Sequence, residues 1–246
     1  MAKPIDRAQI DNPLILTVPG LGNSGPEHWQ TLWEHQLPDC LRVDLGMWDQ
    51  PHRNTWVNKL NMTIHRAGRP VILVAHSLGC LTVAWWAKFE QPGEGHPVLG
   101  ALLVAPPEVD FVPVDERLAK FAPTPVEPAP FPSFFVASRN DPTMGIRTAR
   151  RLARSWGSRF ADAGAIGHIN AGSGIGAWPF GRFLLDELLK PNQPVRTVTR
   201  DDAGTSGEAF RLAHGREASP ALQPSSANLG QSAERMKFRL QAAQNK

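Results

Sequence analysis

Short apolar runs alternate with amphipathic segments along residues 1–190 of the chain. The apolar runs predict buried strands, and apolar residues that recur every three or four positions predict helices. The strands are predicted at 14–18, 41–45, 70–75, 98–105, 133–138 and 158–163. The helices are predicted at 27–37, 53–66, 78–90, 143–156 and 180–190.

Strands that alternate with helices predict a mostly parallel sheet, because parallel neighbours need a crossover connection. We therefore expect an α/β protein, a three-layer α/β/α sandwich around a central sheet of about six strands. The alternation lapses in the proline-rich segment 106–132, which is too long for a simple connection. We expect an ordered excursion there, which could form a lid or a pocket wall, or simply a surface loop.

The composition changes after Pro191, where the chain becomes rich in small and polar residues and contains no Trp or Ile. Such a segment buries too little apolar surface to offset the entropy of ordering it. We therefore predict one domain at 1–190 and a disordered tail at 191–246. Apolar residues recur with helical spacing at Leu229, Ala233, Met236 and Leu240. The alternative for this part of the tail is a short amphipathic helix, which could contact a protein partner.

The net charge of +3 belongs entirely to the tail, because the basic and acidic residues of 1–190 balance. The domain therefore has no basic face that would indicate a nucleic-acid partner. The N-terminal residues do not resemble a signal peptide, and no apolar run is long enough to span a membrane. Two cysteines make neither a disulfide framework nor a zinc motif. We expect a cytoplasmic protein without a bound metal.

The strongest local motif is Ala-His-Ser-Leu-Gly at 75–79, directly after a predicted strand and directly before a predicted helix. This is the strand–nucleophile–helix turn typical of α/β-hydrolases, with Ala75 in place of the first glycine of G-x-S-x-G. Such a tight turn needs small neighbours, and Ala75 and Gly79 meet that need. The pattern predicts Ser77 as the nucleophile, with His76 as structural support. The alternative is a serine that only caps a helix.

A serine hydroxyl needs a base to take its proton, and the base needs an acid to orient it. Asp141 follows the strand predicted at 133–138, and His168 follows the one predicted at 158–163. The carboxyl ends of parallel strands share one edge of a sheet, where ligands bind. We therefore predict that Asp141 and His168 complete a triad with Ser77. Glu108 and Asp110 remain rival candidates for the acid.

Acyl transfer also needs donors for the oxyanion that develops on the substrate. The first would be the backbone N–H of Leu78, at the start of the helix after the nucleophile. The second would be the N–H of Leu21, in the glycine-rich segment 18–22 that ends the first strand. The alternative for this segment is a plain glycine turn.

With these residues assembled, the chain resembles the RBBP9/YdeN family of small α/β-hydrolase-fold serine hydrolases. The segments that carry the resemblance are VPGLGNSGPEHWQTLWE at 18–34, VAHSLGCLTVAWWA at 74–87, SRNDP at 138–142 and GHINAGSGIGAWPFG at 167–181. The resemblance implies a compact hydrolase with the same triad and no cofactor. Two features depart from the family pattern: Phe180 stands where an acidic residue is common, and the tail has no counterpart.

Gly22, Trp29 and Trp178 are candidate substrate contacts, although a buried aromatic side chain more often belongs to the core. The main functional hypothesis is a serine hydrolase that cleaves a small carboxylic ester or a related acyl substrate through an acyl-enzyme. One alternative is a non-catalytic binding protein that keeps the fold and acts through a protein partner. Another is acyl transfer to an acceptor other than water.

Overall fold

The computed structural model describes residues 13–93, 95–111, 113–190 and 198–199. Within them the strands are β1 (Leu14–Val18), β2 (Cys40–Arg42), β3 (Val71–His76), β4 (Val98–Val104), β5 (Ser133–Ala137), β6 (Arg159–Asp162) and β7 (Val198–Thr199). The helices are α1 (Trp29–Gln36), α2 (Arg53–Arg66), α3 (Leu78–Glu90), α4 (Ile146–Ser155) and α5 (Pro179–Leu189). Two short 3₁₀ helices lie at Glu116–Phe121 and Ala171–Ser173.

The seven strands form one sheet in the order β2-β1-β3-β4-β5-β6-β7, and every neighbouring pair is parallel. β3 lies near the middle, between β1 and β4, and all six of its residues are buried. A run such as VILVAH is typical of a strand covered on both faces. The parallel order brings the carboxyl ends of β3, β5 and β6 to the same edge of the sheet.

Helices cover both faces of the sheet, so the three-layer architecture predicted from the sequence is confirmed. Leu73 of β3 belongs to one apolar cluster, which contains the buried apolar side chains of α2, α3 and α4. Its neighbours Ile72 and Val74 belong to the other cluster, together with residues of α1 and α5. This alternation follows the two-residue period of a strand. No helix in the described part of the chain is long and apolar enough to cross a bilayer.

The proline-rich segment between β4 and β5 is ordered through contacts with the core. Phe121 at the end of its 3₁₀ helix is fully buried, and its carbonyl oxygen accepts a 2.8 Å hydrogen bond from Trp85 Nε1. Farther along, the Pro125 carbonyl oxygen accepts one from Trp156 Nε1 at 2.6 Å. Prolines leave this segment short of backbone donors, and its carbonyl groups are held by indole donors, Trp85 from α3 and Trp156 from the residue after α4.

The sheet has one more strand than the six expected. β7 lies in the segment predicted as a tail, and it pairs with β6 through Ala161–Val198 and Asp162–Thr199. A strand of two residues leaves no readable pattern in a sequence, since periodicity needs a longer run. The rest of 191–246, including the predicted amphipathic helix, lies outside the described residues. The domain boundary at residue 190 therefore stays a prediction.

Candidate active site

The turn between β3 and α3 consists of one residue, Ser77. Its N–H donates to the Val104 carbonyl oxygen of β4 at 2.9 Å, and its own carbonyl oxygen accepts from the Cys80 N–H at 2.9 Å. The backbone of Ser77 has φ 53° and ψ −125°, which is a rare conformation for any residue except glycine. The strand and the helix fix this strained turn, and the hydroxyl is thereby presented at the carboxyl edge of the sheet.

The turn after β5 and the loop after β6 are bonded to each other. Ser138 Oγ accepts from the Ile166 N–H at 3.0 Å, and Asn140 Oδ1 accepts from the Gly167 N–H at 2.7 Å. These side chains lie just before Asp141, and the two N–H groups lie just before His168. The acid and the imidazole are thus held together by their own loops.

The structure brings the three predicted triad side chains into one hydrogen-bonded chain. His168 Nε2 lies 2.9 Å from Ser77 Oγ, and His168 Nδ1 lies 3.0 and 2.9 Å from the two carboxylate oxygens of Asp141. The Asp141 side chain is only 3% exposed. Asp141 Oδ1 also accepts from the backbone N–H and the hydroxyl of Thr143, both at 2.8 Å. A carboxylate held in this way orients the imidazole and stabilises its charged form.

The rival acids are engaged elsewhere. Glu108 Oε1 accepts from the Asp110 N–H at 3.1 Å, and Asp110 Oδ1 accepts from the Thr124 N–H at 2.7 Å. The imidazole of His168 bonds to Asp141 and Thr143 on its Nδ1 side. The geometry therefore favours Asp141 over both rivals.

Two further histidines lie behind His168 in a row. The His76 ring lies 5.0 Å from that of His168 and 4.7 Å from that of His28. Burial lowers the pKa of His76 well below its usual value, so the ring is neutral. His76 Nε2 then donates to the backbone carbonyl oxygen of His168 at 2.9 Å. His76 thus supports the site structurally, as expected, through a direct hydrogen bond to the loop that carries His168.

His28 caps α1, where its Nδ1 accepts from the Gln30 N–H at 3.2 Å. Burial is the largest cause that lowers its pKa to about 4, and the positive charge of Arg42 and the neighbouring His168 contribute to the same shift. The neutral ring must then hold its proton on Nε2, because Nδ1 acts as an acceptor. That nitrogen is buried and has no partner among the described residues. No local sequence pattern distinguishes His28 from other helix-capping residues, so its place beside the triad could not be predicted.

The glycine-rich segment after β1 packs directly on the nucleophile turn. A Cβ on Gly20 would lie 2.8 Å from Ser77 Cβ, and a Cβ on Gly79 would lie 2.2 Å from the Val18 carbonyl oxygen. Only residues without a Cβ allow this approach. Within the described residues, neither the Leu21 N–H nor the Leu78 N–H donates a hydrogen bond to the protein. Both predicted oxyanion donors are thus available in segments that touch Ser77.

Of the predicted substrate contacts, Gly22 is exposed, but its N–H donates to the Trp48 carbonyl oxygen at 3.0 Å. Trp29 and Trp178 are 1% and 3% exposed and pack on each other with ring centroids 5.1 Å apart. Neither indole presents a surface to a ligand, so the core interpretation of these two residues fits the structure. Phe180, which replaces an acidic residue of the family pattern, is also buried.

An apolar cavity of about 390 Å³ lies between the second half of α3 and residues 127–131. Its lining includes Val83, Leu103 and Trp156, and it shares no residue with the triad. Helix α3 begins at Leu78, directly after Ser77, and runs back from the carboxyl edge of the sheet. The cavity is therefore separate from the candidate active site.

Comparisons with known proteins give the family and the fold of the chain. The model of the serine hydrolase family matches residues 15–187. A solved structure described as a YdeN-like hydrolase from Pectobacterium atrosepticum is 33% identical, with a TM-score of 0.65; the match covers 75% of this chain and 96% of that one. The ydeN product of B. subtilis is 18% identical, with a TM-score of 0.57 and coverages of 72% and 98%.

A more distant likeness is to the structure of Est1E from Butyrivibrio proteoclasticus, described as having ferulic acid bound. It is 12% identical, with a TM-score of 0.55, and the match covers 74% of this chain and 91% of that one. The two structures under 25% identity show the fold alone, and they confirm the predicted α/β-hydrolase fold. No curated protein matches the chain. The family match and the 33% identical structure show that the chain belongs to the RBBP9/YdeN family of serine hydrolases.

Proposed function

We propose that this serine hydrolase cleaves a small carboxylic ester, or a related acyl compound, through an acyl-enzyme on Ser77. The observation that carries the proposal is the continuous chain of hydrogen bonds from Ser77 Oγ through His168 to Asp141. A hydroxyl becomes an effective nucleophile when an adjacent base removes its proton. In this chain of bonds, Nε2 of His168 is the base and Asp141 holds its Nδ1–H.

In the first half of the reaction, Ser77 Oγ bonds to the substrate carbonyl carbon while its proton moves to His168 Nε2. The carbonyl oxygen becomes an oxyanion and accepts hydrogen bonds from the N–H groups of Leu21 and Leu78. The dipole of α3 adds positive potential at the Leu78 end of this site. The bond from the carbonyl carbon to the alcohol oxygen then breaks, and the alcohol leaves with the proton from His168.

In the second half, a water molecule gives its proton to His168 and attacks the acyl carbon. The bond to Ser77 Oγ then breaks, and the serine regains its proton from the imidazole. Another acceptor, such as an alcohol or an amine, would enter by the same steps, so the same residues support acyl transfer. Each N–H donor to the oxyanion contributes about 3–4 kcal/mol of transition-state stabilisation in comparable enzymes.

A fluorophosphonate probe tests the proposed nucleophile, because such a probe reacts with an activated serine. We expect the wild-type protein to be labelled and Ser77→Ala to be unlabelled and inactive towards p-nitrophenyl esters. Ser155→Ala, which changes an exposed serine of α4, is the control and should label like wild type. Labelling that survives in Ser77→Ala would refute the assignment.

The same esters test the acyl-enzyme. A rapid release of one equivalent of p-nitrophenol before the steady rate is the expected sign of an intermediate that accumulates. A series of rising acyl chain length would then give the size of the acyl group that the site accepts.

A further inference from the structure

The loop that carries the Leu21 N–H, residues 20–25, contains neither helix nor strand. Gly22 and Asn23 have φ values of 75° and 66°, so the loop follows a path that few residues favour. Its position must therefore come from contacts with the rest of the protein. The donor it carries acts only if it lies within hydrogen-bond reach of the oxyanion.

Arg42, the last residue of β2, supplies contacts to this loop. Its Nη1 donates to Asn23 Oδ1 at 3.1 Å and to the Ser24 carbonyl oxygen at 2.9 Å. Its Nη2 donates to Thr31 Oγ1 at 2.5 Å. The Thr31 hydroxyl in turn lies 3.0 Å from the Ser24 carbonyl oxygen and 2.8 Å from that of Gly25. One guanidinium thus holds the second half of the loop, directly at Asn23 and Ser24 and through Thr31 at Ser24 and Gly25.

Glu34 of α1 fixes the orientation of the same guanidinium. Arg42 Nε and Nη2 donate to its two carboxylate oxygens at 3.1 and 2.8 Å, and the Thr17 hydroxyl donates to it as well. An arginine has five N–H donors in a rigid fork, and here all five are used. The two side chains are 23% and 16% exposed, so this ion pair is largely shielded from water.

We infer that Arg42, held by Glu34, is a positioning residue that fixes the oxyanion loop against the nucleophile turn. The inference rests on the proposed function, because it assigns Leu21 N–H to the oxyanion. Arg42 makes no contact with the triad, so its effect passes through Asn23 and Ser24. A loop displaced by about 1 Å can cost roughly 100-fold in rate.

Arg42→Lys tests the inference, since lysine keeps the charge but cannot make the fork of contacts. Arg69→Lys is the matched control: Arg69 also forms a partly exposed ion pair, with Asp39, and does not contact the loop. We expect kcat for a p-nitrophenyl ester to fall at least about tenfold in Arg42→Lys, with KM within about twofold. Arg69→Lys should keep the wild-type kcat.

A boronic acid that forms a tetrahedral adduct with Ser77 gives a second measurement. Its affinity should fall in Arg42→Lys by the same factor as kcat/KM, whereas a merely structural role would leave the affinity of the folded fraction unchanged. Asn23→Gly is a second variant, which removes the Oδ1 acceptor and tolerates the positive φ. Asn23→Gly should also lower kcat, by a smaller factor than Arg42→Lys does.

These variants distinguish a failure of this inference from a failure of the proposed function. Hydrolysis that persists in Ser77→Ala would overturn both. If Ser77→Ala is inactive but Arg42→Lys and Asn23→Gly both keep the kcat of Arg69→Lys, the triad stands and the role of Arg42 is refuted. A fall in kcat confined to the variants that touch the loop supports the inference.

Discussion

His28 and His76 are buried histidines that the protein keeps neutral. The pKa of His28 is about 4 in the folded chain against 6.5 for an unperturbed histidine, with burial as the largest cause. The pKa of His76 is lowered by the same cause. Unfolding exposes both rings, which then take up protons below about pH 6.5. Between pH 6.5 and 4 the unfolded chain therefore binds more protons than the folded one, and acidification favours unfolding.

Replacing His28 should weaken this acid sensitivity. In His28→Asn the side-chain oxygen can still cap α1, but the titrating group is gone. We expect the loss of unfolding free energy between pH 6.5 and 4 to shrink by about 3 kcal/mol, since each pKa unit corresponds to about 1.4 kcal/mol. Urea unfolding at a series of pH values measures this. His35→Asn, on the exposed side of α1, should follow the wild-type curve; a His28→Asn curve parallel to wild type would contradict the prediction.

Helix α1 contains no triad residue, yet it holds the loop of His168 in place. Trp29 Nε1 donates to the Ile169 carbonyl oxygen at 2.8 Å, and Trp33 Nε1 donates to that of Ala177 at 2.6 Å. On its other side, Gln30 Nε2 donates to the Val74 carbonyl oxygen of β3 at 2.9 Å. The helix therefore links the strand before the nucleophile to the loop of the general base.

Trp29→Phe tests this link, because it removes the indole donor next to His168. Trp85→Phe is the control, since Trp85 Nε1 also donates to a backbone carbonyl oxygen, that of Phe121, away from the loop. Each variant leaves a carbonyl oxygen unpaired, so each should lose about 1–3 kcal/mol of unfolding free energy. Only Trp29→Phe should also lower kcat, by about tenfold or more. Equal kcat values in the two variants would show that the link does not matter for the reaction.

At the scale of the whole molecule, every proposed catalytic group lies between Leu21 and His168, at the carboxyl edge of the sheet. The segment predicted as a tail contributes β7, which covers the open edge of β6. An unpaired edge strand leaves N–H and carbonyl groups without partners. The start of this segment therefore has a structural role in the sheet, although it lies beyond the domain boundary predicted at residue 190.

Two truncations test whether the segment after residue 190 contributes to stability, to catalysis or to both. A chain that ends at residue 199 keeps β7 and should retain the wild-type kcat within about twofold and its unfolding free energy, since no proposed site residue is lost. A chain that ends at residue 190 loses β7, so its unfolding free energy should fall by about 1 kcal/mol or more, because each lost backbone hydrogen bond contributes about 1 kcal/mol. Enzyme kinetics and urea unfolding measure both. A large loss of kcat on ending at residue 199 would place part of the tail in the active site instead.

The fold and the convergence of Ser77, Asp141 and His168 could be predicted from the sequence, because both depend on local patterns read in order. Strand periodicity places Ser77, Asp141 and His168 at strand ends, and a parallel sheet then brings those ends together. The position of Arg42 could not be predicted, since its partners lie 8 to 19 residues away and no period links them. The substrate contacts assigned to Trp29 and Trp178 likewise depended on burial, which is decided by packing among α1, α5 and the sheet.

The strained backbone at Ser77 also affects which residues evolution can place at this position. Glycine would adopt φ 53° and ψ −125° at lower energy than serine. Selection for thermal tolerance alone would thus drive position 77 towards a residue with no side chain, and so towards an inert protein. A serine at this place works against the stability of its own chain, and such a local conflict is typical of a residue kept for chemistry.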